Sequence, residues 1–143
     1  MLLLENTYVV IEYNSEDNFI YLGWKGYVPT THYREIVTRL YELRIEFQTK
    51  GVYKLLSDSR VLPTISSSDT HWTVEIAKKY YPSLERSKIA IVLPEGTFAK
   101  LAMDSMTSEF QRARTDHADK IVSQYFDHIE QARQWLIQEE SPL

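Results

Sequence analysis

The sequence predicts a single α/β domain built around a mostly parallel β-sheet. Strand-like and helix-like segments alternate along its 143 residues. The run KIAIVLP (88–94) has no polar alternation, which is typical of a parallel strand that is covered on both faces. Two early strand-like segments are separated by the turn residues 14–17, and this pattern predicts an antiparallel hairpin at one edge of the sheet.

The individual elements are predicted from hydrophobic periodicity and from turn residues. β-Branched and aromatic runs predict about five strands, at residues 7–13, 18–24, 52–58, 88–94 and 120–126. Three- and four-residue apolar spacing predicts four helices, which begin at Thr30 or Thr31 as the cap, near Asp69, at Thr97 and near Asp127. The predicted order is β-β-α-β-α-β-α-β-α, and the absence of a linker or repeat indicates that residues 1–143 form one domain.

Composition excludes several classes of function. A formal net charge of -4 disfavours nucleic-acid binding, and the absence of cysteine excludes disulfides, thiol catalysis and cysteine-based zinc sites. The apolar start, residues 1–4, is too short for a signal peptide or a membrane span, so we expect a cytoplasmic protein. Phosphate-binding and nucleophile motifs are missing, and the four histidines lack ligand spacing. We therefore predict no enzymatic activity, no cofactor and no metal site.

Two charged residues stand where the third predicted strand ends. Asp58 and Arg60 follow the run KLLS, at the carboxyl end of a predicted parallel strand. Ligands and partners of open α/β sheets gather at this edge, near the starts of helices. A structural interpretation is equally consistent with the sequence, because an acid and a base two residues apart can pair and hold the loop.

A run of three serines precedes the second predicted helix. Ser66, Ser67 and Ser68 stand before Asp69, and one serine with an acid in the first turn is what helix capping requires. The other two serines are available for a regulatory or partner-binding loop. With Asp58 and His71 they supply the residue types of a nucleophile, a base and an acid, but nothing in the sequence fixes that geometry.

Three motifs resemble the STAS domains, the fold of the anti-sigma-factor antagonists, and in particular the bacterial SpoIIAA-like proteins described as STAS/SEC14-like. The motifs are G-W-x-G (23–26), L-L-x-D-x-R (55–60) and F-D-x-x-x-x-A-x-x-W-L (126–136), and they span most of the chain. The resemblance implies a SpoIIAA-like fold. In the antagonists a partner kinase phosphorylates a serine at the position of the serine run. The family motif is Asp-Ser, then Ser or Thr, then Gly. This chain departs from it, because Ile65 stands in place of the aspartate and Asp69 stands in place of the glycine.

The resemblance implies a non-enzymatic regulatory or scaffold module that acts through protein–protein contacts in bacterial signalling. The partner is another protein or, in a homodimer, a second copy of the chain. The alternative is a carrier or sensor of a small apolar or acyl ligand, because SEC14-like proteins hold lipids in a pocket. The ligand would contact the third predicted helix, whose apolar stripe is otherwise explained as core; this stripe is Phe98, Leu101, Met106 and Phe110.

Overall fold

The structure is a computed structural model, and it describes residues 1–62, 65–94 and 120–138. The strands are β1 (Leu2–Glu5), β2 (Val9–Asn14), β3 (Phe19–Trp24), β4 (Lys54–Asp58), β5 (Ser87–Val92) and β6 (Ile121–Phe126). The helices are α1 (Thr30–Gln48), α2 (Ser67–Tyr80) and α3 (Ile129–Ile137), and a 3-10 turn at Tyr81–Ser83 follows α2.

The strands form one mixed sheet whose spatial order, β1 to β6, follows the order of the chain. β1, β2 and β3 pair antiparallel, whereas β3, β4, β5 and β6 pair parallel. The predicted α/β class, the hairpin and the mostly parallel sheet are confirmed. Gly23 pairs with Asp58, and Asp58 pairs with Val92, so the carboxyl ends of three parallel strands meet at one edge.

Within the described residues the sheet has six strands, and the prediction of about five was wrong. The additional strand is β1, which pairs with β2 through an irregular register between Leu2 and Leu4. Leu3 and Leu4 pack against the core, so the first apolar residues of the chain form part of the edge strand of the sheet. A four-residue strand is too short to show a clear alternation of apolar and polar residues.

The predicted helix order is confirmed for the three helices of the described ranges. The predicted helix that begins at Thr97 lies outside the described residues. The predicted cap of α1 was wrong, because Pro29 occupies the cap position and no side chain caps the helix. The Thr30 hydroxyl instead donates to a carboxylate oxygen of Asp69 on α2.

Each face of the sheet is covered by a different set of helices. α1 and α2 cover one face with a core that includes Val37, Leu40 and Leu55. α3 covers the other face, where Leu136 packs into a cluster of buried residues; its other members are Phe19, Leu56, Ala90, Val92 and Ala132. Within the described residues, no helix is long and apolar enough to cross a membrane.

Candidate functional site

The predicted loop residues lie between the carboxyl end of β4 and the start of α2, but they form two separate groups. Strand alternation places Asp58 on the same face as Leu56, which is the face that α3 covers. The run from Ser66 to Asp69 instead begins α2 on the opposite face of the sheet. Sequence proximity alone suggested one joint site, and the structure separates it into two.

Asp58 is held by a chelating ion pair. Arg60 donates from Nε to Asp58 Oδ1 at 2.9 Å and from Nη2 to Oδ2 at 2.8 Å. The Tyr21 hydroxyl donates to Oδ2 at 2.7 Å. Burial alone would raise the pKa of Asp58, but the hydrogen bonds from Arg60 and Tyr21 outweigh burial and lower it below its usual value. This geometry agrees with the structural interpretation, in which Asp58 and Arg60 pair and hold the loop.

The serine run begins α2 with an N-cap. The Ser66 hydroxyl accepts a hydrogen bond of 3.0 Å from the amide of Asp69, and the carbonyl of Ser66 accepts the amide of Thr70. Ser68 accepts a hydrogen bond of 3.1 Å from Arg34 Nη2. Ser67 is exposed, and no hydrogen bond to its hydroxyl is seen among the described residues. Two of the three serines therefore have structural roles.

Asp69 joins the first turns of α1 and α2. Its buried carboxylate accepts hydrogen bonds of 3.1 Å from Thr30 Oγ1 and 3.1 Å from Arg34 Nε. The Arg34 guanidinium also lies over the ring of Trp72, 5.4 Å from its centroid. The sequence pattern does not reveal the hydrogen bonds of Thr30, Arg34 and Tyr21, because their partners are 35 to 39 residues away along the chain.

Two large hydrophobic side chains are exposed beside this end of α2. Tyr27, in the loop after β3, is 72% exposed, and Val61, in the loop after β4, is 59% exposed. A groove of about 100 Å³ lies between the loops, and its walls include Tyr27, Leu62, Ile65 and Ser66. The two side chains add exposed apolar area to the two loops at this end of the sheet.

A cavity of about 150 Å³ lies between the sheet and the helices α1 and α2. Apolar side chains from α1 and from β3 to β6 form most of its wall; they include Leu22, Leu40, Leu55, Ile89 and Ile121. The predicted ligand-contacting residues Phe98, Leu101, Met106 and Phe110 lie outside the described residues. The cavity itself was missed, because its wall combines side chains from elements that are distant in the sequence.

The hydroxyl groups around the cavity are neutral donors and acceptors. Tyr33 and Thr73 share a hydrogen bond of 2.8 Å between their hydroxyls, and burial raises the pKa of Tyr33 to about 12. Burial also raises the pKa of Tyr41 above its usual value. Both phenols therefore remain protonated at neutral pH. Across the described part of the chain, no group of three or more acidic or histidine side chains is placed to hold a metal ion.

A comparison with solved structures identifies the fold. The structure resembles the crystal structure of an uncharacterised protein of the DUF3478 family, with a SpoIIAA-like fold, from Shewanella loihica PV-4. The TM-score is 0.52, and the match covers 94% of this chain and 98% of that chain. The fold is SpoIIAA-like. Sequence identity to that protein is 16%, and no family model or curated protein matches the chain, so the SpoIIAA-like likeness concerns architecture alone.

Proposed function

We propose that residues 1–143 form a single non-enzymatic regulatory or scaffold module that acts in the cytoplasm through protein–protein contacts. The observation that carries this proposal is the carboxyl-end surface, which we define as Tyr27, Val61, Ser67 and Ser68. Its two hydrophobic side chains are mostly exposed, and Tyr27 lines the same groove as Leu62, the residue after Val61. The SpoIIAA-like fold supports the proposal, because it is the fold of protein-binding antagonists.

The polar groups around this surface support contact rather than catalysis. Asp58 accepts three side-chain hydrogen bonds, and the Ser66 hydroxyl accepts the amide of Asp69, so both are engaged in holding the loops. A general base or a nucleophile needs a free lone pair near the reacting atom. Loops held by such bonds lose little conformational entropy when a partner binds, which favours affinity.

The chemistry of the surface indicates the kind of partner. Tyr27 and Val61 supply apolar contact area, and the exposed hydroxyls of Ser67 and Ser68 supply polar groups. This arrangement fits a protein patch with an apolar centre and hydrogen-bond acceptors around it. Ser67 is the serine that we propose for regulation, because Ser66 and Ser68 already have structural hydrogen bonds.

Quantitative capture from native cell extract tests the proposal with matched variants. The variant Tyr27→Ser/Val61→Ser removes the apolar centre of the carboxyl-end surface. The control Leu2→Ser/Val122→Ser removes two side chains of similar exposure, 56% and 48%, at other places on the fold. We expect the wild type and the control to retain one stoichiometric partner, and the surface variant to bind it roughly 10- to 100-fold more weakly.

Two outcomes of this capture experiment would contradict the proposal. One is the absence of any stoichiometric partner of the wild-type protein. The other is equal retention of the partner by the surface variant and by the control, provided that circular dichroism shows both variants to be folded.

The cavity supports a second function, the carriage or sensing of a small apolar ligand. Its volume of about 150 Å³ is below the usual range for drug-sized ligands, so long acyl chains do not fit. A cavity of about this size, when lined by aliphatic side chains, holds benzene. Binding of toluene, followed by NMR chemical shifts of cavity methyl groups, tests this function, and the absence of any shift would contradict it.

A further inference from the structure

Arg44 is a buried cation in the wall of the cavity. It lies on α1 and is 8% exposed. Its side chain lines both the apolar cavity and a small depression near the amino-terminal ends of β4 and β5. Arginine at such a position is normally paired, because an isolated charge in an apolar interior is costly.

The described residues provide Arg44 with few partners. Nη2 donates to Ser87 Oγ at 2.9 Å, the guanidinium also donates to the Tyr41 hydroxyl, and it lies 5.2 Å from the centroid of the Tyr41 ring. No carboxylate oxygen of residues 1–62, 65–94 or 120–138 forms an ion pair with it. A guanidinium has five N–H donors, so several of them have no acceptor within this part of the chain.

Tyr41 does not supply a negative charge to Arg44. Burial raises the pKa of Tyr41 even though the charge of Arg44 acts to lower it, so the phenol is neutral at physiological pH. Among the described residues that line the cavity, Arg44 is the one permanent cation, and the others carry neutral hydroxyls or are apolar. This combination is complementary to a molecule with one anionic end and an apolar body.

We propose that the cavity binds a small organic monocarboxylate, with its carboxylate against Arg44. The planar guanidinium matches a carboxylate through two parallel hydrogen bonds, which fixes the orientation of the ligand. The volume of about 150 Å³ limits the whole ligand to roughly six to ten non-hydrogen atoms, such as a simple aromatic or cyclic aliphatic acid. This inference rests on the second proposed function, ligand binding in the cavity.

The test compares three probes by isothermal titration calorimetry on the full chain after removal of any bound small molecule. Benzoate carries the anionic end, benzamide is its neutral counterpart, and toluene has no polar end. We expect benzoate to bind roughly 10- to 100-fold more tightly than benzamide, because only the carboxylate adds a negative charge and a second acceptor oxygen for the guanidinium.

Two variants assign the effect to Arg44. Arg44→Met keeps the length of the side chain and removes the charge, whereas Arg39→Met removes an exposed charge from the same helix. We expect Arg44→Met to abolish the preference for benzoate and Arg39→Met to retain it. Without ligand, the melting temperature of Arg44→Met should equal or exceed that of the wild type, because the variant removes a buried charge that has no carboxylate partner among the described residues.

The possible results distinguish the inference from the function on which it rests. Toluene binding with equal affinities for benzoate and benzamide would overturn the inference and leave the ligand-binding function intact. A preference for benzoate that persists in Arg44→Met would also overturn it. If none of the three probes binds, both the inference and the second function fail. The comparison of benzoate with benzamide uses the wild-type protein, so it does not depend on the folding of a variant.

Discussion

Replacing Leu136 with alanine should lower the free energy of unfolding by about 3–5 kcal/mol. Leu136 is fully buried, and it packs with Phe19, Leu56 and Val92 on the face of the sheet that α3 covers. α3 has nine residues, which is too short for a stable isolated helix, so its helical state depends on this contact. The deleted methyl groups would leave a cavity that rigid strands fill poorly.

Urea denaturation, followed by tryptophan fluorescence, measures this effect. Gln134→Ala is the matched control, because Gln134 is an exposed residue of the same helix. The control should change the free energy of unfolding by less than about 0.5 kcal/mol. A loss of less than about 1 kcal/mol for Leu136→Ala would mean that α3 contributes little to the stability of the sheet.

Replacing Asp58 with asparagine should lower the free energy of unfolding at pH 7 by about 2–3 kcal/mol. The amide keeps the shape of the carboxylate and one acceptor for Tyr21, but it removes the charge that Arg60 chelates. Arg60 is partly exposed, so solvent screens the pair and keeps the loss below that of a fully buried ion pair.

The pH dependence identifies the charge as the cause. The pKa of Asp58 is lowered in the folded protein, so its contribution is fully present above the usual carboxyl pKa of about 4. As the pH falls through the lower, folded-state pKa, that contribution is lost. The difference between the wild type and Asp58→Asn should therefore shrink between pH 5 and pH 2, as measured by urea denaturation at each pH. A difference that stays constant over this range would exclude the carboxylate charge as its source.

Local sequence patterns were sufficient to predict most of the fold. The uninterrupted apolar run of β5 predicted a strand covered on both faces, and residues 88–92 of that run lie between two parallel neighbours. β1 was missed because four residues carry too little periodicity. Ser66 was predicted as part of a helix start, and it caps α2, because capping depends on residues that are adjacent in the chain.

The candidate sites depend on contacts that a local pattern does not contain. Asp58 and Ser66 are eight residues apart in the sequence, yet they lie on opposite faces of the sheet. Their separation follows from strand alternation, since Asp58 is two residues after Leu56. The sequence also indicated that Arg44 is buried, because it lies four residues after Leu40 and three before Phe47 on the apolar stripe of α1. A charge on such a stripe indicates a buried partner or a ligand.

Site-specific photo-crosslinking in the native cell tests most directly whether the carboxyl-end surface binds a protein partner. A photoreactive phenylalanine analogue replaces Val61 on that surface or, as the control, Val122 on β6, and both side chains are exposed. We expect a single crosslinked species from position 61, reduced strongly by Tyr27→Ser, and none from position 122. Equal crosslinking from both positions, or none from position 61 in a folded protein, would contradict the proposed regulatory contact.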